Sequence, residues 1–221
     1  MDKHIVKVLK TELVTHNVKR FTVEKPAGFS FISGQATDVS INKPGLEDDL
    51  HPFTFTCLNG DDHLEFTIKI YKGHNGFTEK LLDVEAGDEL ILHEVFGAIN
   101  YYGPGLFIAG GAGITPFISI LRQLKQDGKL TDNMLLFANH TEQDVILKDE
   151  LDEMLGQNHI DIISNPSSGQ QGKHIDRDLI KQFLTAKTEY CYICGPDEFV
   201  AIMKGYLLEL GMPEDHIIIE Q

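Results

Sequence analysis

Two glycine turns hold the residues best suited to chemistry in this chain. The first, Gly110-Gly111-Ala112-Gly113-Ile114-Thr115-Pro116, follows the apolar run "GLFIA" and precedes the helical pattern "FISILRQLKQ". Such a turn leaves backbone N–H groups and the positive end of a helix dipole facing a crevice, an arrangement that suits a phosphate. Gly110, Gly111 and Gly113 would allow a ligand close to the backbone. Proline at an early helical position is tolerated, because an N–H there would have no intrahelical partner. The second turn, Cys194-Gly195-Pro196-Asp197, repeats the device at a later strand–helix junction. On spacing alone the first turn has three readings: an altered dinucleotide fingerprint, a tight connection, or a nucleotide site with its own rule.

Other candidates are weaker. Cys191 and Cys194 have C-x-x-C spacing, but residues three apart on a strand point to opposite faces. That favours a core strand whose last residue faces a site over a redox or zinc pair. The ten histidines show no metal-binding spacing on a convincing helix, and no metal site is expected. No Ser/His/Asp constellation or paired-carboxylate motif stands out.

The elements around these turns fall into two groups. Residues 1–101 carry six short strand patterns, "IVKVLKTELV", "VKRFTVEKP", "QATDVSIN", "PFTFTCL", "HLEFTIKIY" and "DELILHEV", separated by Gly, Pro and Asn turns. With only one short helical stretch among them, "NGFTEKLLDV", they predict a six-stranded antiparallel β-barrel. Over 102–221 five apolar strands alternate with helices, which predicts a doubly wound five-stranded parallel sheet. In the strand order of such a sheet the first and fourth strands are neighbours, so both glycine turns would face one crevice. Gly211-Met212-Pro213 should stop the last helix.

Composition narrows the function classes. The 221 residues carry a net charge of −15, which disfavours a nucleic-acid backbone as partner. No apolar run reaches the roughly 18 residues a membrane span needs, and "MDKHIVKVLK" has no apolar signal core. A cytoplasmic protein without membrane insertion is the expectation. Three cysteines, Cys57, Cys191 and Cys194, neither suggest a disulfide framework nor suffice for an iron–sulfur cluster.

Strand-GGAGITP-helix and the later CGPDEFV, behind a barrel containing His51-Pro52-Phe53-Thr54, resemble the ferredoxin–NADP reductase superfamily. That group includes flavodoxin reductases and cytochrome b5 reductase-like flavoproteins, and the resemblance runs from the first strand to "IIIEQ". It implies FAD, with FMN as the alternative, and NADH or NADPH as hydride donor. In that family an Arg-x-Tyr-Ser/Thr strand cradles the flavin. By resemblance Thr54 would hydrogen-bond near flavin N5, and Phe53 would keep an aromatic face without the phenol. His51 replaces the arginine that pairs with flavin phosphate, and it lacks both the permanent charge and the bidentate fork. Gly76, Phe77 and Thr78 correspond to the region of the family's Gly-x-x-Ser/Thr phosphate turn, and would also serve as a helix cap. Lys69, Ile70 and Tyr71 match the stretch along the ribityl chain.

The same resemblance places Gly111, Gly113, Ile114, Thr115 and Pro116 at the nicotinamide nucleotide's diphosphate and ribose, and Cys194, Gly195 and Pro196 beside the nicotinamide. Thr54, Cys194 and Glu220 would be the catalytic set. Glu220 matches a C-terminal acid near the flavin, in a segment where many relatives place an aromatic. His140 and Thr141 occupy the turn that reads the adenosine ribose; no Lys or Arg follows until Lys148, which favours NADH. The implied function is an NAD(P)H-dependent flavoprotein reductase passing electrons to a separate carrier, flavodoxin or ferredoxin, or to a small-molecule acceptor. Such carriers are acidic, so a local cationic patch would be needed; Lys19, Arg20 and Lys25 are the candidates. The alternatives are a non-catalytic regulatory member and an electron-transfer subunit of a larger oxidoreductase. The dihydroorotate dehydrogenase type of subunit is disfavoured, because its cysteine-rich tail has no counterpart here.

Overall fold

The computed structural model describes residues 3–97 and 99–220; the expected segment ends at Met1, Asp2 and Gln221, and Ala98, lie outside the described residues. Strands β1 (His4–Thr15), β2 (Val18–Glu24), β3 (Ala36–Ile41), β4 (His51–Thr54), β5 (His63–Lys69) and β6 (Glu89–Phe96) form one antiparallel sheet in the order β4-β3-β6-β1-β2-β5. Its two ends meet. Phe55 bridges Phe66, and the Thr56 N–H donates to the Glu65 carbonyl at 2.9 Å. The sheet therefore closes into the expected barrel, which removes its exposed edges. Alternation puts Val6, Val8, Phe21, Val23, Leu64, Phe66, Leu90 and Leu92 inside, each at most 1% exposed. The short helical stretch becomes α1 (Phe77–Lys80) followed by a 3-10 turn at Leu81–Asp83.

Strands β7 (Gly105–Gly110), β8 (Met134–Asn139), β9 (His159–Ile163), β10 (Tyr190–Cys194) and β11 (Ile217–Ile219) form the parallel sheet, in the order β11-β10-β7-β8-β9. Helices α2 (Thr115–Gln126), α3 (Lys148–Leu155), α4 (Arg177–Phe183) and α5 (Asp197–Glu209) cover it. The first and fourth parallel strands, β7 and β10, are adjacent, as expected. Two local expectations shift. A 3-10 turn, Gly111–Ile114, precedes α2, so Pro116 is the helix's second residue, and Pro196 is the N-cap of α5 and not a helical residue. Gly211 ends α5 with φ +86°.

Helix α2 lies against the barrel. Val18 and Ile99 pack in one cluster with Phe117, Ile120 and Leu121. The Gly34 N–H donates to Ser119 Oγ at 3.1 Å, and Arg122 Nη1 donates to the Thr56 carbonyl at 2.6 Å and to Glu65 Oε1 at 2.7 Å. These contacts bring the end of β4 to the C-terminal edge of the parallel sheet.

Candidate active site

The cleft between barrel and sheet holds two adjoining hollows. One, about 480 Å³, has Pro52, Phe53 and Thr54 of β4 on one wall and Cys194, Gly195 and Glu220 on the other, with Thr78, Gly113, Thr115 and Pro116 also lining it. The other, about 460 Å³, runs along the ends of β7, β8 and β9 past Gly111, Asn139 and His140. Lys69, Tyr71, Gly110, Ala112 and Pro196 line both. Each volume suits a bound small molecule, and the shared wall lets two ligands meet.

The three glycines of the first turn have different jobs. A Cβ on Gly113 would stand 2.3 Å from the Cys194 carbonyl oxygen, and one on Gly110 would stand 3.1 Å from the Phe199 ring. At both positions the missing side chain makes room for protein, and Gly113 packs the two turns together, while the backbones of both still line the hollows. Gly111 alone keeps open space: its φ is +54°, and the nearest group to a Cβ there is the Lys69 ammonium at 3.9 Å.

Cys194 ends β10 with its thiol 3.3 Å from Glu220 Oε2, where the S–H donates to the carboxylate. Burial and then the charge of Glu220 push the thiol well above its ordinary value, so it stays protonated at neutral pH and is no nucleophile. Cys191 faces the other side of the sheet and packs with Leu106 and Ile193, its thiol pushed up to about 12 by burial. A redox pair is not formed, and all three cysteines are buried and free. Among the described residues no group of three His, Cys, Asp or Glu side chains could hold a metal ion.

Several expected contacts prove to be structural. Ile114, Ile70 and Phe77 are 0%, 3% and 4% exposed, so their side chains belong to the core, and none of the three lines either hollow. Thr141 is used internally. Its hydroxyl and N–H both donate to Asp144, at 2.7 and 2.9 Å, as a capping box, and its side chain lies outside both hollows. His140 is in the nucleotide hollow, with Nδ1 3.2 Å from Ser164 Oγ. Gly76 is the N-cap of α1, without a side-chain capping bond; the Thr78 hydroxyl accepts from the Tyr71 N–H at 3.2 Å.

The expected cationic patch is not available. Lys19 is 7% exposed, with Nζ donating to the carbonyls of Leu81, Leu82 and Val84 at 3.2, 2.9 and 2.7 Å. Arg20 is held by Glu12, and Lys25 by the carbonyls of Asn59 and Asp61.

Residues that the sequence did not single out complete the site. Asn139, 7% exposed at the end of β8, lines the nucleotide hollow with neither amide atom hydrogen-bonded. A buried amide with no protein partner fits a ligand that supplies both acceptor and donor. Asp144 and Phe199 line the same hollow.

Residues 3–98 match the family model described as an FAD-binding domain, and residues 107–205 match the oxidoreductase NAD-binding domain. The chain carries an FAD-binding domain followed by an oxidoreductase NAD-binding domain, on a ferredoxin–NADP reductase-like fold. Its cofactors are FAD and a nicotinamide nucleotide. The chain is 29% identical over 95% of its length to the reductase component of propane 2-monooxygenase from Mycolicibacterium goodii, and it spans 65% of that protein. It is 28% identical to NADH-cytochrome b5 reductase 1 of Rattus norvegicus, covering 91% of this chain and 79% of that one. Its fold superposes on the flavohaemoglobin-like FAD/NAD-binding domain of nitric oxide dioxygenase from Vibrio cholerae with a TM-score of 0.84 at 20% identity, covering 99% and 98% of the two chains. Phe53, Thr54 and Thr78 line the first hollow, Asn139, His140 and the open Gly111 line the second, and Lys69 lines both.

Proposed function

We propose that this reductase takes hydride from NADH and passes electrons to a separate carrier. The observation that carries the reading is the convergence of Phe53 and Thr54 with Cys194 and Glu220 across one hollow, continuous with a second. When bound, flavin would accept one hydride, two electrons at once, and could release them singly. The protein's part is positioning. Gly113 packs on the Cys194 carbonyl, which fixes the two turns relative to each other, and Thr54 presents a hydroxyl from the opposite wall. Hydride transfer needs the two rings about 3–3.5 Å apart and no general base, consistent with a Cys194 thiol that stays protonated and serves only to fill and polarise the wall.

The choice of NADH rests on Asp144. Its carboxylate lines the nucleotide hollow and is held below the ordinary range: burial raises it, but the Thr141 hydrogen bonds and the charges of Lys69 and His16 outweigh that. A permanent anion there opposes a 2′-phosphate. The name of the cytochrome b5 reductase relative, an NADH enzyme, points the same way. With the expected cationic patch committed internally and a net charge of −15, the carrier that fits best presents a cationic face; acidic flavodoxins and ferredoxins fit less well. Steady-state rates with NADH and NADPH and a soluble acceptor test the donor. The reading expects kcat/KM to favour NADH, and equal or reversed values overturn that preference.

A further inference from the structure

His51 and Phe53 alternate onto the same face of β4, and both stack on Phe77 of α1: centroids 4.4 Å apart at 21° for His51, and 6.0 Å apart at 26° for Phe53. Phe53 and the neighbouring Thr78 line the flavin hollow. His51 therefore stands one step further out along that wall, at its rim.

One carboxylate engages two groups there. Asp49 Oδ1 is 3.0 Å from His51 Nε2, and Asp49 Oδ2 accepts from Lys80 Nζ at 3.1 Å. The side chains are 41%, 37% and 33% exposed for His51, Asp49 and Lys80, so all three are open to a ligand. Lys80, and then His51, hold the Asp49 carboxyl below its ordinary value of 3.8, so it is ionised at neutral pH.

FAD carries a diphosphate, and its charge must be matched at the rim of a strongly acidic protein. Lys69 stands beside the open Gly111 at the junction with the nucleotide hollow. His51 and Lys80 are the paired donors on the flavin side, and both already serve an anion. A phosphate oxygen accepts from the same two donors as a carboxylate does, and with more charge.

We propose that Asp49 is a built-in competitor for the flavin phosphate: on binding, His51 and Lys80 exchange its carboxylate for phosphate oxygens, and Asp49 limits FAD affinity. Lys80 thus supplies the permanent charge that His51 lacks. This inference rests on the flavoprotein reading above. The opposite role, with Asp49 holding both donors in place for the ligand, predicts the opposite sign on neutralisation.

The test is titration of the flavin-free protein with FAD, and separately with riboflavin, which has no phosphate, by quenching of flavin fluorescence. Asp49→Asn is expected to tighten FAD binding about threefold or more, the scale of one partly exposed charge pair, and Lys80→Met to weaken it comparably. Riboflavin affinity should change in neither variant. Asp49→Ser provides a second neutralised variant should Asp49→Asn fail to fold, and melting temperatures of the flavin-free variants separate folding from binding. FAD affinity that falls or stays level in the neutralised variants overturns the proposal, as does a parallel shift for riboflavin. Native protein that binds neither flavin overturns the flavoprotein reading, and this inference with it.

Discussion

Arg122 of α2 and Glu65 of β5 join the two halves of the molecule through a 2.7 Å ion pair, and Glu150 of α3 grips the same guanidinium at 2.6 and 2.8 Å. Arg122 and Glu65 side chains are only 18% and 11% exposed. Removing one partner of a buried pair strands the other. Arg122→Met should cost about 2–3 kcal/mol, the buried-pair value discounted for partial exposure, measured as a lower urea midpoint. It should also slow flavin reduction, because the pair helps hold the cleft's two walls at a fixed distance. A stability loss below about 0.5 kcal/mol, the surface-pair scale, would show that the clamp is not structural.

This network and a separate one around Asp161 set the response to acid. Burial raises the Glu150 carboxyl, but Arg122 outweighs it and leaves the group below its ordinary 4.5. Burial likewise raises Asp161, and His159 and Lys148 bring it below 3.8. The unfolded chain therefore binds more protons at these groups, and stability rises with pH through the carboxylate range. Their contribution is fully present above the ordinary values and drains away as pH falls through the lower folded ones. Urea midpoints measured from about pH 6 down to about pH 3 should fall steadily, and the fall should shrink in Glu150→Gln.

Two glycine substitutions separate packing from ligand space. Gly113→Ala drives a methyl to 2.3 Å from the Cys194 carbonyl. It should destabilise the protein by about 1–3 kcal/mol, the cost of overpacking, and misplace the second turn. Gly111→Ala meets no atom closer than Lys69, so its cost is the left-handed backbone, about 1–2 kcal/mol, and it narrows the nucleotide hollow. Stability should fall in both variants. The KM for NADH should respond more to Gly111→Ala, and flavin reduction more to Gly113→Ala.

The thiols should be inert. Cys57 and Cys191 are pushed up to about 12, chiefly by burial, and Cys194 is raised further. Native protein should not react with a thiol reagent at neutral pH, whereas denatured protein should titrate all three cysteines. Rapid labelling of Cys194 in the native state would contradict a protonated thiol.

Both sheets, and the adjacency of the first and fourth parallel strands, were legible because strand and helix periods differ and the connections are short. The strand–turn–helix grammar around Gly111 and Gly195 located the cleft. What sequence reading missed depends on partners far apart in the chain. Lys19 reads as a surface cation among alternating residues, yet it caps carbonyls more than 60 positions away. Thr141 looks like a ribose contact until Asp144 claims its hydroxyl. Gly113 reads as a phosphate glycine, and only the position of Cys194 shows that it makes room for backbone. Asn139 gives no sequence signal, because an unpartnered amide is visible only where its neighbours are known.

The most direct test of the central claim is anaerobic mixing of the FAD-loaded protein with NADH, following the absorbance of the bound flavin in a single turnover. The account predicts rapid bleaching with NADH, slower bleaching with NADPH, and a rate reduced about ten- to a hundredfold by Cys194→Ala, the scale of a modest misplacement of the reacting groups. Flavin that stays bound and oxidised with both nucleotides would contradict it, leaving a fold that keeps its cofactors without carrying out the hydride transfer.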